Sequence, residues 1–358
     1  MSLRIGIGTN LRIQGAFNWI RYWLTRYPSV LALTVISDTR IDLAWTNNGV
    51  VDYDGISIER SLDGITYAEI ITVAAGSVAY SNIGLTTNTL YYYRIRYYRG
   101  TYYSAYSNVD SDTTYYYFIT TWQTENAGSA TKTIVIPTTG GGYDCWINWG
   151  DGSAEENAVG TPGDITHVYA TTGIKTVKIR GLFPRIYFNN AGDKLKLLTI
   201  AQWGNIAWGS MGNAFYGCAN LTGTYTDIPN TAGTTIMTSM FRSCTVFNSP
   251  IYFNTSSVTD MAIMLFACGV FNQDISGLDV RLVTTMANML SGANALSTAN
   301  YDALLIAWGA QAVQNNVPFH AGDATYTLGG AAAAARAHLV LAVASGGHAW
   351  TITDGGGI

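Results

Sequence analysis

Residues 258–275 read VTDMAIMLFACGVFNQDI, and close variants of this phrase occur on either side, IMTSMFRSCTVFN at 236–248 and VTTMANMLSGA at 283–293. Equivalent methionines are 24 and 25 residues apart, and a looser copy at 211–221 lies 26 residues before the first. A fixed period of this length is typical of solenoids, because one such unit cannot bury its own apolar face and must stack on its neighbours. The predicted core positions of the repeats are Met237, Met240, Phe241, Cys244, Phe247, Met261, Met264, Cys268, Phe271, Met286 and Met289.

These repeats resemble the BspA-like leucine-rich repeat family, whose units read approximately V-T-D-M-x-x-M-F-x-x-C-x-x-F-N-x-x-I. Residues 258–275 follow this pattern, except that Leu265 stands at the Phe position and Phe266 comes directly after it. The segments 300–308 and 350–356 are similar to the closing segment of the same family. The resemblance runs from about residue 195 to the C-terminus. It implies a surface-exposed interaction module, and no catalytic residues come with it.

Residues 28–114 have the pattern of a β-sandwich, in which short apolar runs alternate with turn signals such as Asn48-Gly49 and Asp63-Gly64. This segment resembles a fibronectin type III domain, with Leu85, Thr89 and Tyr91 at the positions of that family's tyrosine corner. The resemblance implies the fold and says almost nothing about function. The predicted strands are 31–36, 41–45, 55–61, 70–73, 90–98 and 104–108.

Residues 115–182 contain a second β pattern, CWINWGDGS at 145–153 followed by HVYATTGIKTVKI at 167–179. Asp151-Gly152 is a hairpin-type turn, and 176–179 reads as a closing strand. The two motifs resemble those of a PKD domain, which implies an extracellular β-sandwich that serves as a spacer or binding module. The same resemblance implies that His167 is a structural residue.

The predicted fold class is therefore mainly β and multidomain, with two β-sandwiches followed by a leucine-rich-repeat-type α/β solenoid that ends in a helical C-terminal cap. Within the cap, the alanine-rich segment 331–341 is predicted to be a helix by its propensity. The predicted segments are an N-terminal docking arm at 1–27, the fibronectin type III-like sandwich at 28–114, the PKD-like domain at 115–182, the BspA-like repeats at 183–299 and the cap at 300–358.

The N-terminal arm carries four arginines and a cluster of aromatic residues, with no acidic residue before Asp38. Residues 17, 20 and 24 would share one face of a helix. One interpretation is an arm that docks on a partner protein, and another is an appendage packed on its own next domain. A helix at a membrane surface is a weaker alternative, because the basic face is short. The candidate docking residues are Phe17, Trp19, Ile20, Arg21, Trp23 and Leu24.

Composition excludes several classes of partner. The formal net charge is −4 and the charged fraction is 12%, so the chain has no general attraction for nucleic acid. The sequence contains no run of about 18 apolar residues, so no membrane span is predicted, and the first residues lack the apolar core of a secretory signal. Three of the four cysteines recur at one repeat position, which favours a column of buried thiols and leaves disulfides between neighbouring repeats as the alternative.

No constellation for catalysis, a cofactor or a metal is present in the sequence. The four histidines are scattered, and no nucleophile elbow or phosphate-binding loop occurs. Asp144 and Asp151 are too few to supply the six or more oxygens of a calcium site. A glycan-degrading enzyme would need two carboxylates that face each other across a sugar, whereas Asp260 and the aspartates of 274–279 recur at turns. The sequence therefore predicts a non-enzymatic protein.

Three outward-facing modules without an evident secretion signal are natural for a bacteriophage virion protein, such as a head fibre, a decoration protein or a tail-associated adhesin. The expected partners are capsid or tail proteins, through the arm, and a host surface glycan or protein, through the repeats. We also expect several copies or a homo-oligomer on the particle. A bacterial cell-surface adhesin is the alternative. Candidate ligand contacts are Tyr252, Asn254 and Gln273, while Asn248 and Asn272 share a repeat position and favour an internal asparagine ladder.

Overall fold

The computed structural model describes residues 26–49 and 52–358, and the chain divides into two compact units, 1–116 and 117–358. In the first unit, a three-stranded sheet has the order β1-β2-β5, and a second sheet has the order β4-β3-β6-β7, with β8 also paired to β6. These strands are β1 (Ser29–Ser37), β2 (Arg40–Thr46), β3 (Gly55–Ser61), β4 (Ala68–Ala74), β5 (Ala79–Ile83), β6 (Leu90–Arg99), β7 (Tyr102–Tyr103) and β8 (Asp110–Thr113).

The core of this β-sandwich follows from strand alternation, because successive side chains point to opposite faces. In β6, Tyr91, Tyr93 and Tyr97 are buried, and they contribute to one apolar cluster with residues of the other sheet. The predicted tyrosine corner is present, since the backbone N–H of Thr86 donates to the Tyr91 hydroxyl at 2.9 Å. This first unit is therefore a fibronectin type III-like β-sandwich by its sheets and by this corner.

The strand predicted at 104–108 is wrong, because the last strand of the sandwich is β8, which begins two residues later at Asp110. In the intervening segment, the hydroxyl oxygens of Ser104 and Ser107 accept the backbone N–H groups of Tyr97 and Ile95, at 2.9 and 3.0 Å. The serine side chains thus occupy positions in the ladder that backbone carbonyls would otherwise fill, and regular pairing is interrupted there.

The second unit is built on a six-stranded sheet of order β12-β11-β14-β9-β15-β16, accompanied by the antiparallel pair β10-β13. The segment predicted to be PKD-like ends at residue 182, yet β15 pairs with β9 and thus extends the same sheet into the segment predicted to be repeats. Its strands are β9 (Phe118–Gln123), β10 (Thr133–Ile136), β11 (Tyr143–Asn148), β12 (Glu156–Gly160), β13 (Ile165–Val168), β14 (Ile174–Leu182), β15 (Leu197–Gln202) and β16 (Thr222–Gly223).

The predicted boundary between 182 and 183 therefore falls inside one compact unit. Leu197 and Ile200 of β15 are fully buried, and they belong to a single apolar cluster that extends from Phe118 to Trp350. Burial of these residues requires the β15 strand to lie on the sheet, so the segments 115–182 and 183–299 share one core.

In the repeat region, consecutive copies are joined by parallel hydrogen bonds between backbone groups. For example, Met237 N donates to Asp260 O at 2.9 Å, and Phe241 N donates to Met264 O at 2.9 Å. We call each connected run of residues a rung. The four rungs are 211–217, 236–243, 260–267 and 285–291.

Each rung consists of tight turns in place of a regular strand. Met240 N donates to Met237 O at 3.1 Å, and Ser239, the third residue of this turn, has a φ of 56°. A positive φ at that position is the signature of a type II turn, and Ser243 repeats it four residues later with a φ of 59°. The equivalent residues with positive φ in the other rungs are Asn213, Gly217, Ile263, Ala267, Asn288 and Gly292.

Helices occur only near the C-terminus of the described residues. The helices expected of the predicted α/β solenoid are therefore absent between residues 203 and 297, where β16 is the one strand. Helix α1 (Thr298–Gly309) was not predicted, whereas helix α2 (Ala331–Val340) corresponds to the predicted helix at 331–341. Strand β17 (Pro318–His320) continues the ladder beyond the last rung and pairs in parallel with β18 (Thr351–Thr353). Within the described residues, neither helix has the length and apolarity needed to cross a membrane.

Candidate binding site

The predicted repeat core lies in the interior of the second unit, where all eleven of its residues have a relative exposure of 0%. Their aromatic members form a column. Phe241 stacks on Phe215 with ring centroids 5.5 Å apart, and on Phe247 at 4.1 Å. Phe247 in turn lies nearly parallel to Phe271 at 6.3 Å. These residues hold the rungs together and, with no exposed surface, are not accessible to a ligand.

The cysteines of the repeats are free thiols that bond to the backbone of the preceding rung. Cys244 Sγ donates to Phe215 O at 3.1 Å, and Cys268 Sγ donates to Phe241 O at 3.0 Å. Burial raises the pKa of the Cys268 thiol to about 12, and burial also holds the pKa of Cys244 well above its usual range. Since only the thiolate is a nucleophile or metal ligand, this column is structural in character. The free, buried cysteines are Cys145, Cys218, Cys244 and Cys268.

Asparagines form an internal ladder along one edge of the repeats. Asn248 Oδ1 accepts the backbone N–H of Asn272 at 2.8 Å, and Asn272 Oδ1 accepts the backbone N–H of Ser297 at 2.9 Å. Both asparagine side chains therefore connect one repeat to the next. Gln273 joins the ladder, because its Nε2 donates to Asn248 Oδ1 at 3.0 Å.

Next to this ladder lies a surface depression of about 400 Å³, which we call the hollow. Two of the three predicted ligand contacts, Tyr252 and Gln273, line it. Tyr252 is 61% exposed, while its neighbours Ile251 and Phe253 are buried and fix the backbone that presents it. An exposed tyrosine beside an amide offers an apolar ring face together with hydrogen-bonding groups. The hollow is lined by Ile251, Tyr252, Phe253, Gln273, Asp274, Ser276 and Gly277.

The third predicted contact, Asn254, is exposed but is not among the residues that line the hollow. Its Oδ1 accepts the backbone N–H of Ser256 at 3.1 Å and the Ser256 hydroxyl at 2.7 Å. This is the local turn geometry that asparagine favours. The predicted docking residues of the arm, Phe17, Trp19, Ile20, Arg21, Trp23 and Leu24, lie outside the described residues.

The tyrosine-rich run of the first unit is divided between core and surface. Tyr93 and Tyr97 are fully buried, whereas Tyr102 and Tyr103 of β7 are 59% and 41% exposed. Arg96 covers the ring of Tyr103, with the guanidinium carbon 3.9 Å from its centroid. The run therefore contributes some tyrosines to the sandwich core and others to its surface.

The WGDGS and HVY motifs of the second unit meet in one cluster. The His167 ring stacks on Trp149 at 4.8 Å, and its Nε2 lies 2.7 Å from Asp151 Oδ2. Hydrogen bonds from Ser153, and then from His167, hold the pKa of the Asp151 carboxyl below its usual range. Gly150 has a φ of 73°, and a Cβ at this position would collide with a neighbouring backbone carbonyl. The cluster has the features of a structural turn.

The buried charged residues Glu59, Asp193 and Lys196 each have partners. Glu59 is bonded to Arg94 and Arg96 at 2.6 and 2.7 Å. The Lys196 ammonium donates to three backbone carbonyls, and Asp193 accepts two backbone N–H groups at the same place. Among the described residues, no cluster of three or more His, Cys, Asp or Glu side chains could hold a metal ion.

One surface group was missed from the sequence. The Arg242 guanidinium lies between two aromatic rings, with its central carbon 4.5 Å from the centroid of Tyr216 and 5.4 Å from that of Phe266. The repeat spacing carries the signal for this arrangement, since the three residues are 26 and 24 positions apart.

Comparison with protein families matches residues 209–320 to a family described as "Mycoplasma protein of unknown function, DUF285". This match contains all four rungs and ends at His320 of β17. It covers less than half of the chain. Comparison with curated proteins gives no match.

Solved structures similar to this chain contain fibronectin type III domains. A Fn3-like protein from Clostridium thermocellum is 23% identical over 25% of this chain and 91% of its own, with a TM-score of 0.22. The sixth fibronectin type III domain of human fibronectin type III domain containing protein 3 is 18% identical over 24% of this chain and 82% of its own, with a TM-score of 0.22.

A β-1,2-glucanase from Parabacteroides distasonis is 26% identical over 25% of this chain, with a TM-score of 0.23. The matched part is 12% of the glucanase. The fibronectin type III-like character of the first unit rests on its own two sheets and on its tyrosine corner.

Proposed function

We propose that this chain is a non-enzymatic adhesin in which the second unit binds a ligand and the arm at 1–27 attaches the chain to a larger assembly. The observation that carries the proposal is the hollow, where the exposed ring of Tyr252 stands beside the Gln273 amide on a rigid, fully packed repeat core. Rigid presentation of an exposed aromatic side chain lowers the entropic cost of binding. Host surface glycan or protein is the proposed ligand.

In this proposal the rungs form a solenoid of the BspA-like leucine-rich repeat type, and the segment 115–182 is a PKD-like module that shares its core. The parallel hydrogen bonds from rung to rung and the recurring buried Met, Phe and Cys positions support the solenoid. The cluster of Trp149, Asp151 and His167 supports the PKD-like module. Helices α1 and α2 would close the C-terminal end of the stack, as repeat arrays require.

We further propose that the assembly is a bacteriophage particle, to which the chain belongs as a head fibre, decoration protein or tail-associated adhesin. Several copies on one particle would multiply a weak single-site affinity through avidity. The combination of sandwich modules with a repeat unit supports this role. A bacterial cell-surface adhesin of the same type is the second candidate, favoured by the same hollow and repeats.

Electron cryomicroscopy of particles from a lysate that carries this gene tests the assignment. We expect symmetric copies anchored through residues 1–27, with the repeat unit projecting outward. If the particles show no density for the chain and the chain is recovered from the bacterial envelope, the result would favour the cell-surface adhesin. Depolymerisation of a host polysaccharide by the purified chain, abolished by substitution of one carboxylate, would contradict the non-enzymatic role.

A further inference from the structure

A second candidate site lies on the rungs themselves and shares no residue with the hollow. Tyr216, Arg242 and Phe266 occupy the same position in three consecutive rungs. Their alignment is fixed by backbone hydrogen bonds of 2.8 Å from Gly217 N to Arg242 O and from Ser243 N to Phe266 O. The three side chains are therefore stacked by the repeat geometry, with the cation in the middle.

The geometry holds the guanidinium in place without neutralising it. Stacking on Tyr216 and Phe266, at 4.5 and 5.4 Å, is a cation–π arrangement that restricts the long side chain. Within the described residues, Arg242 forms no salt bridge, and its buried Nε has no hydrogen-bond partner. Two other arginines of the same unit differ, since Arg281 is paired with Asp279 and Arg336 with Asp354, whereas Arg185 resembles Arg242 in stacking on a tyrosine and in its buried, unbonded Nε.

The rung residues around Arg242 are mostly neutral and small, although the Lys194 side chain lies against Gly217, the residue after Tyr216. Its own rung contributes the hydroxyls of Thr238 and Ser243, and Thr238 Oγ1 is buried without a partner in the described structure. The next rung has Ala262 and Ala267 at the equivalent positions. The acid nearest along that rung, Asp260, accepts the Ala262 backbone N–H at 2.8 Å and so has a local role.

We propose that Arg242, held between Tyr216 and Phe266, binds the carboxylate of an acidic sugar, such as a uronic or sialic acid residue of a glycan. A planar guanidinium takes a carboxylate by two parallel hydrogen bonds, and its restriction by two rings reduces the entropy lost on binding. A uronic or sialic acid residue carries one carboxylate, which a single guanidinium can bind through its planar fork.

The test uses the full chain and an oligomer of six galacturonate residues as the probe, with binding measured by isothermal titration calorimetry at low and at physiological salt. We expect saturable binding that weakens with salt, and no binding of the same oligomer after its carboxyls are reduced to alcohols. Arg242→Gln should weaken binding about 10- to 100-fold, as expected for the loss of hydrogen bonds to a charged group. Arg242→Lys should also weaken it, because the ammonium keeps the charge and loses the planar fork.

Two further variants separate binding from folding. Phe266→Ser introduces the residue that the next rung already has at this position, Ser291, and should weaken binding by opening one side of the stack. Arg281→Gln removes an exposed arginine of the same unit that is paired with Asp279, and should leave binding unchanged. Circular dichroism melting of each variant verifies that the fold is retained.

Equal binding by wild type and Arg242→Gln would overturn the inference, as would tighter binding of hexaglutamate than of hexagalacturonate. Absence of galacturonate and sialic acid binding in the wild type would also overturn it. The proposed adhesive function fails by a different result, absence of the chain from both particles and cell surfaces. Binding to cells that is unchanged in Arg242→Gln leaves the adhesin standing and refutes this site alone.

Discussion

Replacement of Phe241 by alanine should destabilise the second unit strongly and leave the first unit unaffected. Phe241 is fully buried and stacks on Phe215 and Phe247 of the aromatic column. Removal of a buried phenyl ring costs about 3–5 kcal/mol in the free energy of unfolding, because transfer free energy is lost and a cavity remains. The packed rungs on both sides, tied by backbone hydrogen bonds, oppose collapse of that cavity.

For a unit of this length, residues 117–358, each 1 kcal/mol shifts the melting temperature by about 2–4 °C, so the expected decrease is about 6–20 °C. Differential scanning calorimetry of the full chain measures it. The two units have separate cores, so we expect the melting transition of the first unit to stay in place. Tyr252→Ala is the matched control, since this aromatic ring is 61% exposed and its removal should cost less than about 0.5 kcal/mol.

Equal losses of stability in Phe241→Ala and Tyr252→Ala would refute the reasoning, because burial would then not decide the cost. A shift of the first unit's transition by Phe241→Ala would contradict the separation of the two cores.

Three other predictions follow from local geometry. Ile263 is a β-branched residue with a φ of 59° at a position where other rungs have asparagine, so Ile263→Asn should stabilise the chain by about 1 kcal/mol in urea denaturation, and a loss of stability would contradict this. Asn272→Ala removes the acceptor of the Ser297 backbone N–H and should cost about 1–2 kcal/mol, whereas no cost would contradict the asparagine ladder. Burial raises the pKa of the Cys244 thiol well above 9.0, so the stability that this thiol contributes should be fully present below pH 9 and decrease above it. The expected decrease in the free energy of unfolding is about 1.4 kcal/mol per thiol for each pH unit. Cys244→Ala should reduce this slope, and an unchanged slope would contradict the prediction.

The sequence predicts best those features that repeat or that are local. The rung positions recur every 24 to 26 residues, and the tyrosine corner depends on residues 85–91, so the order of residues along the chain is enough to locate both. The burial of Met237 and Cys244 could be predicted for the same reason, because residues that recur at one repeat position are expected to share one environment.

Pairings between distant segments could not be predicted in this way. Strand β15 begins 79 residues after the start of β9, its neighbour in the sheet, and nothing in the local pattern of either strand specifies the other. The shared core of the segments 115–182 and 183–299 was missed for this reason. Helix α1 was missed because apolar residues such as Ile306 also lie on its exposed face and hide the helical spacing of its buried residues. Ser297 caps it by accepting a hydrogen bond from Asn300 N.

A third group of features that sequence alone does not predict consists of side chains that form hydrogen bonds in place of backbone groups. Ser104 and Ser107 accept hydrogen bonds in place of carbonyls and interrupt the predicted strand. Asn254, predicted to contact a ligand, accepts hydrogen bonds from Ser256 within its own turn. An exposed polar residue at a turn can either contact a ligand or form hydrogen bonds within its own turn, and only the geometry of the turn distinguishes the two roles. By contrast, Tyr252 and Gln273 were predicted as contacts, and both line the hollow.

The most direct test of the proposed adhesive function is the binding of the fluorescently labelled full chain to cells of the strain that the particles infect. The account predicts saturable binding that falls at least about tenfold in Tyr252→Ala, because the exposed ring is the proposed anchor in the hollow. It predicts no change in Val246→Ala, which alters an exposed apolar residue that does not line the hollow. Equal binding by wild type and Tyr252→Ala would contradict the central claim.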